Sequence, residues 1–197
     1  MQSPIYWHPF LYHTAMKMSY GERFLERYTS LDRHIPADCN LFEACMGDAF
    51  FYRHYLKKKN VNYSCGDINP VFVNKAKQNK IDARLLNLAN DPLPKTDYIL
   101  MQASLSYFIP QEDVIIRKLL AACNKQVILS ESIDNLSNSG SSLKSWAGTF
   151  LSKAKAGQSK IKFTSETLRE SFRAFEPNIK VWEENAATRE VIIVLEP

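Results

Sequence analysis

Two stretches of the chain carry the fold prediction: LFEACMGDA at residues 41–49 and YSCGDINP at residues 63–70. Each begins with a short apolar run, as a buried strand does, and continues into a turn that contains glycine and aspartate. In open α/β sheets, ligands bind beyond the carboxyl ends of the strands, where such turns lie. Gly47 and Asp67 are 20 residues apart, about the spacing between a ligand-binding loop and the acid that follows the next strand.

Strands and helices alternate outward from these stretches. Five short apolar runs predict strands, near residues 40–45, 61–65, 83–87, 97–102 and 126–131. Amphipathic runs between them predict helices over residues 49–59, over 71–79 and after 110–113. Helices of this length between strands indicate a parallel sheet with right-handed crossovers. Two last runs, residues 180–183 and 190–195, are joined by a short turn and predict an antiparallel hairpin.

The two ends of the chain differ from this middle region. Met16, Tyr20, Phe24 and Tyr28 recur every four residues, which predicts an N-terminal helix with one apolar stripe. Residues 134–142 have the composition of a polar loop, and helices are expected over about residues 143–153 and 165–175.

Composition limits the class of protein. The 197 residues carry a formal charge of +4 and are 45% hydrophobic, so intrinsic disorder is excluded. No apolar stretch reaches the ~18 residues of a membrane span, and no secretory signal is visible at the N-terminus. We expect a cytoplasmic, thiol-reduced protein, because the cysteines form no C-x-x-C pair. We expect no metal site, because the residues show no acidic or histidine cluster. The four cysteines are Cys39, Cys45, Cys65 and Cys123.

The quoted residues resemble the motif of class I S-adenosylmethionine (SAM)-dependent methyltransferases. In that family an acidic residue and Gly-x-Gly-x-Gly follow the first strand, and an Asp or Glu closes the second. The resemblance covers roughly residues 38–131 in order. It implies an α/β, Rossmann-like, mostly parallel seven-stranded sheet, with helices on both faces and an antiparallel C-terminal strand. The expected single domain comprises a helical cap (1–35), a cofactor-binding core (38–131), a loop and helix insertion (132–165), and a terminal helix and hairpin (166–197).

The resemblance also implies SAM as cofactor, with S-adenosylhomocysteine (SAH) as product. Glu43 matches the acid of the motif, which in the family lies near the methionine amino group, and Asp67 matches the ribose-binding acid. Cys45, Gly47 and Ala49 stand at the three glycine positions. The remaining implied cofactor contacts are Ile68, Asn87 and Leu88 toward the adenine, and Gln102 and Ala103 at the methyl-transfer end.

The sequence shows a cofactor site more clearly than a catalytic one, because methyl transfer depends mostly on alignment of the acceptor with the methyl group. The Asn/Asp-Pro-Pro-Tyr motif of adenine- and glutamine-methylating enzymes is absent after the fourth strand. Weak catalytic candidates are Tyr107 in that region, Glu131 on the fifth strand, and His8 or His13 as a general base. Each of the four also fits a purely structural role, in packing or on a solvated surface.

The function expected from the sequence is methylation of a small molecule, since a chain of this size has no separate recognition domain. Two alternatives stay open. The replacement of two glycines by Cys45 and Ala49 allows a non-catalytic scaffold protein that kept the fold. A lysine-rich stretch allows an RNA-directed methyltransferase, although a solvated surface is the default and nucleic acid is the less favoured partner. Its lysines are Lys144, Lys153, Lys155, Lys160 and Lys162. The acceptor atom and the oligomeric state are not predicted.

Overall fold

A computed structural model describes residues 13–14, 16–18, 21–133 and 163–197. Within these residues seven strands form one sheet. They are β1 (Asn40–Ala44), β2 (Asn62–Asp67), β3 (Asp82–Leu85), β4 (Thr96–Gln102), β5 (Cys123–Ser132), β6 (Ile179–Asn185) and β7 (Glu190–Leu195). Their order across the sheet is β3-β2-β1-β4-β5-β7-β6.

The sheet is parallel in its body and antiparallel at one side. Strands β1 to β5 all pair in parallel, while β7 pairs antiparallel with both β5 and β6. The chain runs outward from β1 to β3, then returns to place β4 on the other side of β1. The direction of strand order therefore reverses between β1 and β4, which is where α/β sheets bind ligands. The predicted mixed sheet with its C-terminal hairpin is confirmed.

Helices and shorter 3₁₀ turns connect the strands. Among the described residues, the α-helices whose bounds are complete are α1 (Phe24–Asp32), α2 (Phe50–His54), α3 (Pro70–Gln78), α4 (Glu112–Ala122) and α5 (Ser165–Ser171). The 3₁₀ turns cover Gly21–Arg23, Leu56–Lys59, Leu105–Phe108 and Arg173–Asn178. Local chemistry explains where α3 begins: the Asn69 side chain accepts the backbone N–H of Val71 at 2.9 Å, and Pro70 occupies the first helical position.

The core lies on both faces of the sheet, because successive residues of a buried strand point to opposite sides. On one face, residues such as Leu41 and Leu100 pack with α1, α2 and α3. On the other face, residues such as Phe42 and Ile99 pack with α4 and α5. Helices on both faces leave the ends of the strands as the places where the sheet can meet a ligand.

Several local predictions need correction. The helices predicted over residues 49–59 and 165–175 end at His54 and Ser171, and a 3₁₀ turn follows each. The N-terminal stripe does not belong to one regular helix, because Gly21 has a left-handed backbone (φ +58) and α1 begins only at Phe24. Phe24 and Tyr28 are nevertheless buried together on the sheet, as the stripe predicted. The third strand ends at Leu85 rather than at Asn87, since the Asn87 side chain instead accepts the backbone N–H of Ala89 in a turn.

Several predictions fall outside the described residues and stay predictions. They include most of the N-terminal cap, the loop at 134–142, the helix at 143–153 and the whole lysine-rich stretch. The proposed division of the domain stays a prediction for the same reason. Among the described helices, none is long and apolar enough to cross a membrane.

Candidate functional site

The loop after β1 has a left-handed backbone at three alternating positions, although glycine occupies only one of them. Cys45, Gly47 and Ala49 have φ angles of +58, +58 and +53, all in the left-handed region that residues with a Cβ seldom adopt. These are the three positions that the resemblance to the family motif matches to glycines. Burial raises the pKa of the Cys45 thiol to about 12, so the loop carries a neutral thiol at neutral pH.

Asp67 connects the end of β2 to this loop. One of its carboxylate oxygens accepts the backbone N–H of Gly47 at 2.9 Å, and the other accepts the backbone N–H of Asn69 at 2.8 Å. Burial raises the pKa of Asp67, while these hydrogen bonds act in the opposite direction. A carboxylate can accept about four hydrogen bonds, so Asp67 can accept more donors. The next side chain, Ile68, is 60% exposed.

Glu43 forms the centre of a buried polar group that spans three neighbouring strands. It lies on β1 and is 1% exposed. The Tyr63 hydroxyl on β2 donates to one carboxylate oxygen at 2.5 Å, and the Gln102 amide on β4 donates to the other at 2.6 Å. Burial raises the pKa of Glu43 to about 7, against the effect of both donors. A buried carboxylate with such a pKa can gain or lose a proton near neutrality, as functional carboxylates often do.

The residues predicted at the adenine end have different surroundings. Asn87 is half-buried, and its backbone N–H donates to the Asp91 carboxylate at 2.7 Å. Leu88 is buried in the core on the side of α4, so its side chain is part of the packing. Of these three predicted contacts, Ile68 is the one that exposes an apolar side chain.

The end of β4 is held by β5. Ala103 has a left-handed backbone (φ +45), and its N–H donates to the Ser130 carbonyl at 2.7 Å. Tyr107 is half-buried in the 3₁₀ turn that follows. Glu131 is 3% exposed, and its carboxylate accepts the backbone N–H of Leu105 at 2.9 Å. Glu131 therefore supports the turn that carries Tyr107.

One of the two N-terminal histidines meets the loop after β1. The Nδ1 atom of His13 lies 3.3 Å from the Asp48 carboxylate, and its ring packs against Phe24 and Phe50. His8 lies outside the described residues. Neither Asp48 nor Tyr63 was predicted from the sequence as a site residue, because the pairing of each with its partner depends on which elements become neighbours.

The structure thus gathers most of the predicted residues at one edge of the sheet. Glu43, Cys45, Gly47, Asp67, Gln102 and Ala103 lie at or just after the carboxyl ends of β1, β2 and β4. These ends flank the point where strand order reverses. Within the described residues, no group of three or more histidine, cysteine, aspartate or glutamate side chains could hold a metal ion.

Comparisons with known proteins agree with this architecture at the level of structure. No family model and no curated protein matches the sequence. Magnesium protoporphyrin IX methyltransferase from Synechocystis PCC 6803, with bound SAH, is 13% identical with a TM-score of 0.63, over 94% of each chain. Human N-acetylserotonin methyltransferase, in complex with SAM, is 14% identical with a TM-score of 0.63, over 98% of this chain and 57% of that chain.

The same fold also occurs in a chain from Rhodobacter sphaeroides with the provisional name of a Zn-dependent alcohol dehydrogenase. It is 12% identical with a TM-score of 0.63, over 92% of this chain and 96% of that chain. At such identities a likeness shows the fold alone, since one fold supports many functions. SAM-dependent methyltransferases recur among the matching structures, and this chain has the Rossmann-like fold of their class I.

Proposed function

We propose that this protein is a SAM-dependent methyltransferase that acts on a small-molecule acceptor. The observation that carries the proposal is the loop after β1. It is left-handed at three alternating positions, is tied to Asp67 through the Gly47 N–H, and lies at the reversal of strand order. A backbone of this kind brings main-chain atoms close to a ligand.

The residues at this edge fit the chemical parts of SAM. Glu43 and Gln102 offer acceptors and a donor for the amino and carboxylate groups of the methionine end. Asp67 offers acceptor capacity for the two ribose hydroxyls, and Ile68 and Asn87 offer an apolar surface and a polar edge for the adenine. When bound, SAM supplies a methyl group on a positively charged sulfur that an acceptor can displace in line. The chain's own contribution is to hold the acceptor in that line, an effect that can reach about 7–11 kcal/mol.

Glu43 has a second feature that suits a cationic ligand. The described residues place no lysine, arginine or histidine within ion-pair distance of its carboxylate. The positively charged ammonium group of SAM would favour the ionised form of this carboxylate. We infer that Glu43 binds the methionine end as a carboxylate.

The small-molecule acceptor is supported by the names of the neighbours. Magnesium protoporphyrin IX and N-acetylserotonin, in the names of two matching structures, are small molecules. We propose that Tyr107, on the turn after β4, lines the acceptor site. The RNA-directed alternative depends on lysines outside the described residues, and no described feature favours it.

Titration calorimetry with SAM and with SAH tests the proposal, and NAD⁺ serves as the control ligand. Asp67 suits the ribose of any adenosine cofactor, whereas Glu43 suits the methionine end alone. We expect micromolar binding of SAM or SAH and none of NAD⁺. No heat and no thermal shift with SAM and SAH would contradict the proposal and favour the non-catalytic scaffold. Binding of NAD⁺ without binding of SAM or SAH would indicate that the protein uses a dehydrogenase-like cofactor.

A further inference from the structure

The pairing of His13 with Asp48 narrows the class of acceptor. Asp48 stands between Gly47 and Ala49, in the loop proposed to meet the cofactor. One of its carboxylate oxygens accepts the backbone N–H of Phe50 at 3.1 Å, and the other faces His13 Nδ1 at 3.3 Å. The carboxylate is thus anchored on one side and directed at the imidazole on the other.

The His13 ring is held in place yet reachable from solvent. Phe24 meets it edge-on, with ring centroids 5.2 Å apart, and Phe50 lies 4.7 Å away. The His13 side chain is 30% exposed, whereas that of Asp48 is 9% exposed. A carboxylate at Nδ1 favours the neutral tautomer that carries its proton there, which leaves Nε2 with the lone pair. This is the arrangement of an oriented general base.

We propose that His13 is the general base for a hydroxyl acceptor and that Asp48 is the residue that positions it. The inference rests on the proposed function. The proton of the acceptor hydroxyl moves to His13 Nε2 while an oxygen lone pair forms the bond to the methyl carbon. The carbon–sulfur bond breaks, its electron pair stays on sulfur, and the imidazolium returns its proton to solvent. Neutral amine acceptors attack without losing a proton first, so the dyad favours an oxygen acceptor.

The first test needs no acceptor and no cofactor. Nitrogen-15 NMR of the histidine rings in the free protein at pH 8 is expected to show His13 protonated at Nδ1. The Asp48→Asn variant should shift His13 toward the Nε2-protonated tautomer. A wild-type ring protonated at Nε2, or the same tautomer in both proteins, would overturn the proposal.

The second test measures SAH formation with phenol and catechol as oxygen probes, and with phenethylamine and thiophenol as nitrogen and sulfur probes. We expect turnover of an oxygen probe that falls by roughly 10²–10⁴ in His13→Gln, with the SAM dissociation constant unchanged. His34 is the matched control, since it lies 3.3 Å from the Glu183 carboxylate, away from the loop. His34→Gln should keep full turnover.

The pH profile separates a base from a structural residue. Among the described residues, the charged and titratable groups around His13 are Asp48 in the loop and Arg53 and His54 on α2. The rise of kcat with pH should disappear in His13→Gln and persist in His54→Gln. Methylation of the nitrogen or sulfur probes alone, or equal rates in wild type and His13→Gln, would overturn the assignment. Failure to bind SAM would instead contradict the proposed function, and the tautomer measurement would then decide the His13 proposal.

Discussion

At the scale of single residues, Asp67 is expected to serve both the loop and the ligand. Asp67→Ala should weaken SAM binding by one to two powers of ten, because a carboxylate that accepts ribose hydroxyls contributes about 1.5–3 kcal/mol. Titration calorimetry measures the change, and circular dichroism verifies that the variant folds.

A matched aspartate controls this prediction. Asp82 is exposed at the start of β3, at the amino ends of the parallel strands, whereas Asp67 lies at their carboxyl ends. Asp82→Ala should leave the dissociation constant unchanged. An unchanged constant in a folded Asp67→Ala variant would show that the ribose site lies elsewhere.

Glu43 should make stability depend on pH below neutrality. Its pKa rises from an ordinary 4.5 to about 7 on folding, so between these values the folded state holds a proton that the unfolded state has lost. The stability of the folded state that depends on protonated Glu43 is complete below pH 4.5 and is lost as the pH rises toward 7. The free energy of unfolding should therefore fall by up to about 3 kcal/mol across this window. Urea denaturation in the absence of SAM, at several pH values, measures this slope.

Glu43→Gln isolates the contribution of this one group. The amide keeps the shape of the side chain and can still pair with Tyr63 and Gln102, but it does not titrate. Its stability should vary less between pH 4.5 and 7 than that of the wild type. Parallel curves for the two proteins would mean that Glu43 has an ordinary pKa.

At the scale of elements, the loop after β1 has a conformation that is usual for glycine at residues that are not glycine. Cys45 and Ala49 both have left-handed backbones. Such a backbone costs a residue with a Cβ roughly 1–2 kcal/mol. Gly47→Ala should therefore lower the free energy of unfolding by about 0.5–1 kcal/mol, after the entropy cost of glycine is subtracted, as measured by urea denaturation.

At a surface residue with the same left-handed backbone, a substitution by glycine should change the free energy of unfolding in the opposite direction. Lys80 follows α3 with φ +60, and its side chain is exposed. Lys80→Gly removes a Cβ from a left-handed residue and should raise the free energy of unfolding by about 0.5–1 kcal/mol, after the entropy cost of glycine is subtracted. A loss of stability in Lys80→Gly, or none in Gly47→Ala, would contradict the argument from φ.

At the scale of the whole molecule, a buried ion pair joins the N-terminal helix to the C-terminal strand. Arg27 on α1 lies 2.8 Å from Glu190 on β7, with side chains 3% and 2% exposed. The Ser130 hydroxyl on β5 donates to the same carboxylate at 3.1 Å. Arg27→Met should lower the free energy of unfolding by about 3–5 kcal/mol, because it removes one partner of a buried ion pair. Urea denaturation checks this value.

An exposed pair of the same length provides the comparison. Arg33 lies 2.8 Å from Glu183, with side chains 62% and 36% exposed. Arg33→Met should cost less than about 1 kcal/mol, since solvent screens the pair. The double variant Arg27→Met with Glu190→Gln should recover part of the loss. Equal costs for the two arginine variants would show that burial does not set the strength of these pairs.

Much of the fold was predictable because its signals are local. The apolar runs and turn residues placed all seven strands within a few residues of their observed positions. The N-terminal stripe failed as a single helix, because Gly21 adopts a left-handed backbone that a four-residue periodicity does not register. Glu131 lies near the end of the fifth strand, as expected. Its burial against the backbone of Leu105 was not predictable, since its surroundings depend on the path of the next loop.

The sequence by itself determined the order of elements and the edge at which polar side chains collect, because strand periodicity and turn chemistry act between near neighbours in the chain. Only the tertiary structure decided which side chains meet there. Tyr63 reaches Glu43 because β2 pairs beside β1, and His13 reaches Asp48 because its ring packs against Phe24 and Phe50. Such contacts join residues far apart in the chain, and the packing of whole elements brings them together.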